Sequence, residues 1–266
     1  GHGRIAEIVR RATGVDFTHY KANTMQRRIQ RRMMVHKIAT PAEYEELLRA
    51  TPGEIEALYL DVLIGVTSFF RNPEAFETLA TKVFPKLLAD RTRHDPVRIW
   101  TLGCSTGEEA YSLAMLFVEC AEAAKSRAQL QLFASDLNAS GIEKARVGRY
   151  PPSISQDVSP ERLRKFFVEE DGHYRVNKSI RECIVFSRHN VLADPPFSRV
   201  DFISCRNLLI YLEPVLQEQV MPLLHYSLKP GGHLWLGSAE SPGTSRELFE
   251  IEDLRQKIFT RRPGPT

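Results

Sequence analysis

From residue 97 onward the chain alternates short β-rich runs with helical stretches, and this alternation limits the possible fold more than any other feature. Val97–Leu102 ends in Gly103, and Leu130–Ser135 ends at Asp136. Ile184–Phe186 begins a run leading towards Asn190, Val200–Ser204 ends at Cys205-Arg206-Asn207, and His233–Gly237 follows. Helical patterns fill residues 108–124, 140–147 and 213–228, the last stopped by Lys229-Pro230-Gly231-Gly232. Strand and helix at this spacing predict an α/β domain on a doubly wound, mostly parallel sheet. Leu248–Ile251 and Lys257–Arg261 have no helix between them, which predicts an antiparallel hairpin at one edge. One piece breaks the alternation. Phe166–Val176 holds two β-rich runs around Asp171-Gly172, the pattern of a hairpin. With Cys183–Phe186 it is expected to form a small three-stranded subdomain, inserted at residues 163–187.

Upstream the pattern is different. Residues 4–88 read as helical, and a helical domain with its linker is expected over 1–88, with the sheet domain over 89–266. Thr40-Pro41 marks a helix start, with Glu43 three residues on. Met25–Lys37 carries Arg27, Arg28, Arg31 and Arg32 on one charged stripe, with Ile29 and Met33 opposite. Charge is divided accordingly. Residues 1–40 hold nine Lys/Arg against Glu7 and Asp16, a net of +7, so the remaining residues carry −4 of the total +3. A basic head suggests an anionic partner. No apolar run reaches the roughly 18–20 residues of a membrane span. The start, Gly1-His2-Gly3-Arg4, lacks the apolar core of a signal peptide. Cys104, Cys120, Cys183 and Cys205 show no paired metal spacing and are expected as reduced thiols.

Chemistry concentrates at the strand ends, where ligands of open parallel sheets bind. The first turn, Gly103-Cys104-Ser105-Thr106-Gly107-Glu108-Glu109, either lets backbone approach a ligand or is a tight strand–helix turn without one. Two carboxylates at the helix start disfavour a pyrophosphate and tolerate a cationic ligand with an amino group and a sulfonium centre. Asp136 is placed to accept hydrogen bonds from both ribose hydroxyls of a nucleoside, or to cap the next helix. Asn190 and Asn207 end the next two strands, so Gly103, Asp136, Asn190 and Asn207 are expected to converge on one crevice. Asp194-Pro195-Pro196-Phe197 looks like the motif of enzymes that methylate base amino groups. It lies before the fourth strand rather than after it, so it is read as a loop. In Ile64–Pro73, Phe69 and Phe70 read as core anchors. Arg71 is either solvated or folded over the crevice to attract a carboxylate.

Taken together these stretches resemble the chemotaxis receptor glutamate methyltransferases, the CheR family. The matching pieces are Val66-Thr67-Ser68-Phe69-Phe70-Arg71, Ser105–Glu109 with Tyr111-Ser112, Phe133–Asp136 and Glu143–Arg146. Phe202–Asn207 with Ile210-Tyr211, and Leu228–Gly232, complete the set in family order. The resemblance implies a class I S-adenosylmethionine-dependent methyltransferase fold, Rossmann-like with an antiparallel C-terminal hairpin, plus the inserted β-subdomain and an N-terminal helical domain. It implies methyl transfer from S-adenosylmethionine to glutamate side chains of chemoreceptors, with S-adenosylhomocysteine as product. By motif, Thr67, Arg71, Gly103, Ser105, Gly107, Glu109, Asp136, Asn190, Val191, Arg206 and Asn207 would contact the cofactor. Arg71 and Tyr211 look like the pair near the transferred methyl. Two departures stand out. Gly65-Val66-Thr67 replaces the family's frequent Asn-Leu-Thr, and the hairpin Val168–Val176 is tighter than in members that grip a receptor's C-terminal peptide.

The implied chemistry agrees with the residues. A glutamate carboxyl, with a pKa of about 4.3, is already an anionic nucleophile at neutral pH and needs no general base. The glutamate-rich helices of chemoreceptors are a candidate partner for the basic stripe, whose other reading is a solvated helix face. Neither nucleic acid nor membrane insertion is expected, and the expectation is a cytoplasmic monomer; the sequence also looks like the methyltransferase segment of longer, multidomain relatives, an excised domain. The alternative is a non-catalytic, cofactor-binding regulatory module. Methylation of nucleic acid or of a small molecule is disfavoured by the misplaced Asp-Pro-Pro-Phe.

Overall fold

The structure, a computed structural model, describes residues 2–18, 20–63 and 67–263. Ile64, Gly65 and Val66 of the linker motif lie outside the described residues. The chain divides into two compact units, one made of residues 1–65 with 209–217, the other of residues 66–208 with 218–266.

The first unit is helical: α1 (His2–Thr13), α2 (Ala22–Val35), α3 (Pro41–Ala50) and α4 (Pro52–Leu63). Their apolar faces bury Ile5, Val9, Met25, Ile29, Tyr44, Leu48 and Leu58. α3 starts as its sequence dictates, with the Thr40 side chain accepting the Glu43 N–H and Pro41 in the first turn. Leu209–Tyr211 forms a 3₁₀ turn in this unit, and the Tyr211 carbonyl accepts the Lys21 N–H at 3.0 Å.

The second unit opens with α5 (Pro73–Thr78), a π turn at Leu79–Val83 and α6 (Phe84–Leu88). The expected helical domain ran through residue 88, but these helices cluster with the sheet. Phe76 meets Trp235 edge-on at 5.1 Å, and Phe84 meets Phe202 at 5.9 Å. Then come β1 (Val97–Leu102), α7 (Glu108–Ala123), β2 (Leu130–Asp136), α8 (Ala139–Val147), β3 (Arg149–Tyr150), α9 (Pro160–Phe166), β4 (Phe167–Glu170), β5 (His173–Val176) and α10 (Lys178–Arg181). The remainder is β6 (Ile184–Arg188), β7 (Val200–Cys205), α11 (Pro214–Ser227), β8 (Leu228–Leu236), β9 (Phe249–Asp253) and β10 (Ile258–Arg261).

Seven strands form the main sheet in the order β6-β2-β1-β7-β8-β10-β9. β6 through β8 are parallel and β10 and β9 antiparallel, as the alternation and the closing hairpin predict. Order reverses between β1 and β7, the switch point beside which open parallel sheets bind their ligands. Trp100, Phe202 and Trp235 are fully buried on the central strands.

Two expectations are corrected. The small sheet runs β3-β5-β4, so its third strand is Arg149–Tyr150 and not Cys183–Phe186. Ile184 and Phe186 are buried and pair with Leu132 and Ala134, which ties that run to the edge of the main sheet. Lys229–Gly232 also does not separate helix from strand. Val200 pairs with Leu228 and Phe202 with His233, so residues 229–232 bulge inside β8. Among the described residues no helix is long and apolar enough to cross a membrane.

Candidate active site

The loop between β1 and α7 is built from left-handed residues: Gly103 at φ 65°, Ser105 at 50° and Gly107 at 99°. Gly107 is required twice over. A Cβ there would lie 2.9 Å from the Ala145 Cβ and 3.0 Å from the Tyr150 hydroxyl. Tyr150 in turn donates to the Thr106 carbonyl at 2.6 Å.

Asp136 braces this loop from β2. Its Oδ2 accepts the Ser105 N–H and its Oδ1 the Asn138 N–H, each at 2.8 Å. Helix capping, the rival reading for Asp136, falls to Asn138, whose side chain accepts the Gly141 N–H. Burial pushes the Asp136 carboxyl up, and the backbone N–H groups oppose it. The N–H groups of Ser105, Leu137 and Asn138 together use three of the roughly four acceptor sites of the carboxylate, so one oxygen keeps capacity beyond the loop. A nucleoside hydroxyl fits that remaining acceptor.

The two carboxylates of α7 behave differently from each other. Glu108 is buried, its carboxyl pushed up by desolvation, and it is hydrogen-bonded by the hydroxyls of Thr106 and Thr67. Glu109 accepts from the Ser204 hydroxyl at 2.8 Å and pairs with Arg206 Nη1 at 2.5 Å. Its charge is therefore neutralised within the protein, and the electrostatic preference for a cationic ligand rests less on Glu109 than its position suggests.

Arg206 is the keystone of this edge. Its side chain is 5% exposed. Nη2 donates to the Arg71 carbonyl at 2.8 Å, and the guanidinium lies 3.9 Å over the Trp235 ring. Arg206 thus holds the Arg71 main chain. Phe70 and Asn72 flank Arg71 at φ 49° and 64°, so the backbone kinks on either side of it. The Phe70 N–H is held by the Ser112 hydroxyl at 2.9 Å, while Phe69 and Phe70 are buried as core anchors. The Arg71 side chain is exposed.

The outer strand ends are less uniform. His189 N–H donates to the Asp136 carbonyl, so Asn190 follows directly after the β2–β6 ladder. Its side chain accepts the Leu192 N–H at 3.1 Å, and Asp194 accepts the Asn190 N–H at 2.8 Å. Asp194 of the Asp-Pro-Pro-Phe run is therefore a turn clamp, and Phe197 stacks on Phe133 at 4.7 Å. Val191 is half-buried in the same turn. Asn207 sits at φ 60° after β7, its N–H bound at 2.7 Å by Glu240. Tyr211 belongs to the helical unit.

Sequence reading missed Ser204, Tyr150 and Glu240. Glu240 had a signal: an acid three residues past Gly237, at a strand end of the same sheet.

The basic stripe also divides. Arg32 donates from Nε and Nη2 to both Glu54 oxygens at 2.8 Å, and its side chain is 18% exposed. Tyr44 and His36 complete the cluster around Glu54. Arg32 is therefore a structural ion-pair member rather than a docking cation, because Glu54 draws it inward. Arg27 and Arg31 are exposed, Arg28 half-buried.

Comparison with known proteins agrees with this architecture. Residues 65–258 match the profile described as CheR methyltransferase, SAM binding domain, and residues 3–63 match CheR methyltransferase, all-alpha domain. A chemotaxis protein methyltransferase of Listeria monocytogenes is 32% identical over 88% of this chain and 87% of its own length. An uncharacterized 104.1 kDa protein of Rhodobacter capsulatus is 42% identical over 98% of this chain, which spans 28% of that protein. Among solved structures, PKMT2 from Rickettsia typhi in complex with AdoHcy is 14% identical, with a TM-score of 0.39 over 65% of this chain and 26% of its own.

Proposed function

Because the chain belongs to the CheR methyltransferase family, with S-adenosylmethionine as its cofactor, we propose that it methylates glutamate side-chain carboxylates of chemoreceptors. The observation that carries this reading is the linked set at the strand ends. Asp136 holds the Ser105 loop, and Glu109, Ser204 and Arg206 tie α7 and β7 to the Arg71 main chain.

The cofactor, when bound, supplies an electrophilic methyl group on a sulfonium. Asp136 is proposed to accept hydrogen bonds from its ribose hydroxyls, while Gly103, Ser105 and Gly107 let the loop backbone close on it. Thr67, Glu109, Asn190, Val191, Arg206 and Asn207 complete the proposed binding set, with Glu109 and Arg206 acting on its shape through their mutual ion pair. The substrate carboxylate arrives ionised, so no side chain needs to take a proton. Arg71 is proposed to orient that carboxylate by bidentate contact. For Tyr211, which belongs to the helical unit, a role in turnover through its phenol hydroxyl is proposed. Arg27, Arg28 and Arg31 are the docking cations in this reading, and they match glutamate-rich receptor helices in charge.

The activity of any longer protein that contains this chain is part of the same proposal, since the chain spans 28% of the Rhodobacter capsulatus relative. The test is incorporation of labelled methyl into a chemoreceptor cytoplasmic fragment. Incorporation is expected, and is expected to vanish when the glutamates of its methylation helices are replaced by glutamine. Incorporation that persists in the glutamine-substituted fragment would contradict the substrate assignment.

A further inference from the structure

Glu240 lies past the end of β8 and is 4% exposed. Its Oε1 accepts two backbone N–H groups, from Asn207 at 2.7 Å and from Gly237 at 2.8 Å. These two residues follow adjacent parallel strands, β7 and β8, so one carboxylate oxygen joins two strand ends at the face where the proposed site lies. Asn207 is left-handed at φ 60°, a conformation that asparagine tolerates and that still costs energy without support. Space at Gly237 is closed. A Cβ there would fall 2.6 Å from the Glu240 Oε1 and 2.9 Å from the Asn207 Oδ1. A side chain at Gly237 would therefore displace Glu240 or Asn207.

We propose that Glu240 is a positioning residue for the methyltransfer site, acting through Asn207. It holds the Asn207 backbone left-handed and so fixes where the Asn207 side chain points beside Gly237. The neighbouring Arg206, one residue earlier, carries the Glu109 ion pair and the contact to the Arg71 carbonyl. A shift at Asn207 is thus transmitted to the segment that bears Arg71. The buried carboxylate has a structural reason to be acid-derived: an oxygen that accepts two N–H groups is a stronger acceptor when charged. The inference rests on the reading of this sheet end as the S-adenosylmethionine site.

Calorimetry with S-adenosylhomocysteine on the full chain tests it. Glu240→Ala is expected to weaken binding about tenfold, the scale on which an unsupported left-handed backbone at Asn207 lowers the binding-competent fraction. Glu240→Gln keeps an acceptor oxygen and is expected to stay within about fivefold of wild type. A double-mutant cycle separates positioning from general stability. In an Asn207→Gly background the left-handed turn no longer needs support, so adding Glu240→Ala should cost less than about threefold. Additive losses in the cycle would overturn the proposal, as would unchanged affinity in folded Glu240→Ala. Asp136→Ala is the control for the underlying reading. If Asp136→Ala leaves affinity unchanged, the site itself is misplaced; if it abolishes binding while Glu240→Ala does not weaken it, only the positioning role fails.

Discussion

Replacing Glu54 by glutamine should destabilise the helical unit and change how its stability depends on pH. The Glu54 side chain is 4% exposed and receives Arg32, Tyr44 and His36. Those partners hold its carboxyl at about 2, against an ordinary 4.5. Desolvation works in the opposite direction, so the hydrogen bonds and ion pairing outweigh burial. A difference of about 2.5 units corresponds to roughly 3 kcal/mol at 1.36 kcal/mol per unit. The folded value is the lower one. The contribution is therefore complete above about pH 4.5 and is lost as pH falls from 4.5 towards 2. Glu54→Gln should lose about 3 kcal/mol at pH 7 and should lack that acid limb. Both tryptophans, Trp100 and Trp235, lie in the sheet unit. In urea melts, an unfolding phase seen by far-ultraviolet ellipticity and silent in tryptophan fluorescence therefore reports the helical unit, since ellipticity sums over the helices of both units. A loss below about 1 kcal/mol, or an acid limb identical to wild type, would refute the account of the cluster.

Other outcomes follow from the same geometry. Arg206→Ala strips the partner from Glu109 and leaves the Arg71 carbonyl without its donor. It should cost about 3–5 kcal/mol of sheet-unit stability in denaturant melts, and Arg206→Lys should recover only part of it. Asp136→Ala should weaken S-adenosylhomocysteine binding by at least about a hundredfold in calorimetry, since one carboxylate braces the loop and is proposed to hold the ribose. Tyr211→Phe should lower turnover about tenfold with cofactor affinity unchanged, as read by steady-state kinetics beside calorimetry. Reversing Arg27 and Arg31 to glutamate should raise the Michaelis constant for receptor severalfold at low salt, an effect that shrinks as salt is added. The same reversal at Arg32 should unfold the helical unit instead, because Glu54 would face a second buried carboxylate.

The sequence made the main sheet legible because each strand is a dense apolar run closed by a residue with a local meaning. Val97–Leu102 before Gly103 and Leu130–Asp136 before a helix could hardly be misread. Arg149–Tyr150 could not be found that way. It has two residues and no periodicity, and it exists as a strand only because it pairs with Arg175 and Tyr174. Arg32 fails for a related reason. A helical wheel places it beside Arg28, but Glu54 and Tyr44, on other helices, decide that it turns inward. At the site, the loop glycines and Asp136 were legible because their positions at strand ends have a backbone logic. The joining groups, Ser204 and Glu240, were not, since a serine inside a strand and a glutamate in a loop acquire meaning only from what lies across from them.

The central claim is that the strand-end site makes glutamyl methyl esters. It is tested most directly by incubating the chain with methyl-labelled S-adenosylmethionine and a chemoreceptor cytoplasmic fragment, then mapping the label by mass spectrometry before and after mild base. The account predicts label on glutamate side chains that mild base releases as methanol, and none with Asp136→Ala. Base-stable label on lysine, arginine or an amide nitrogen would contradict it.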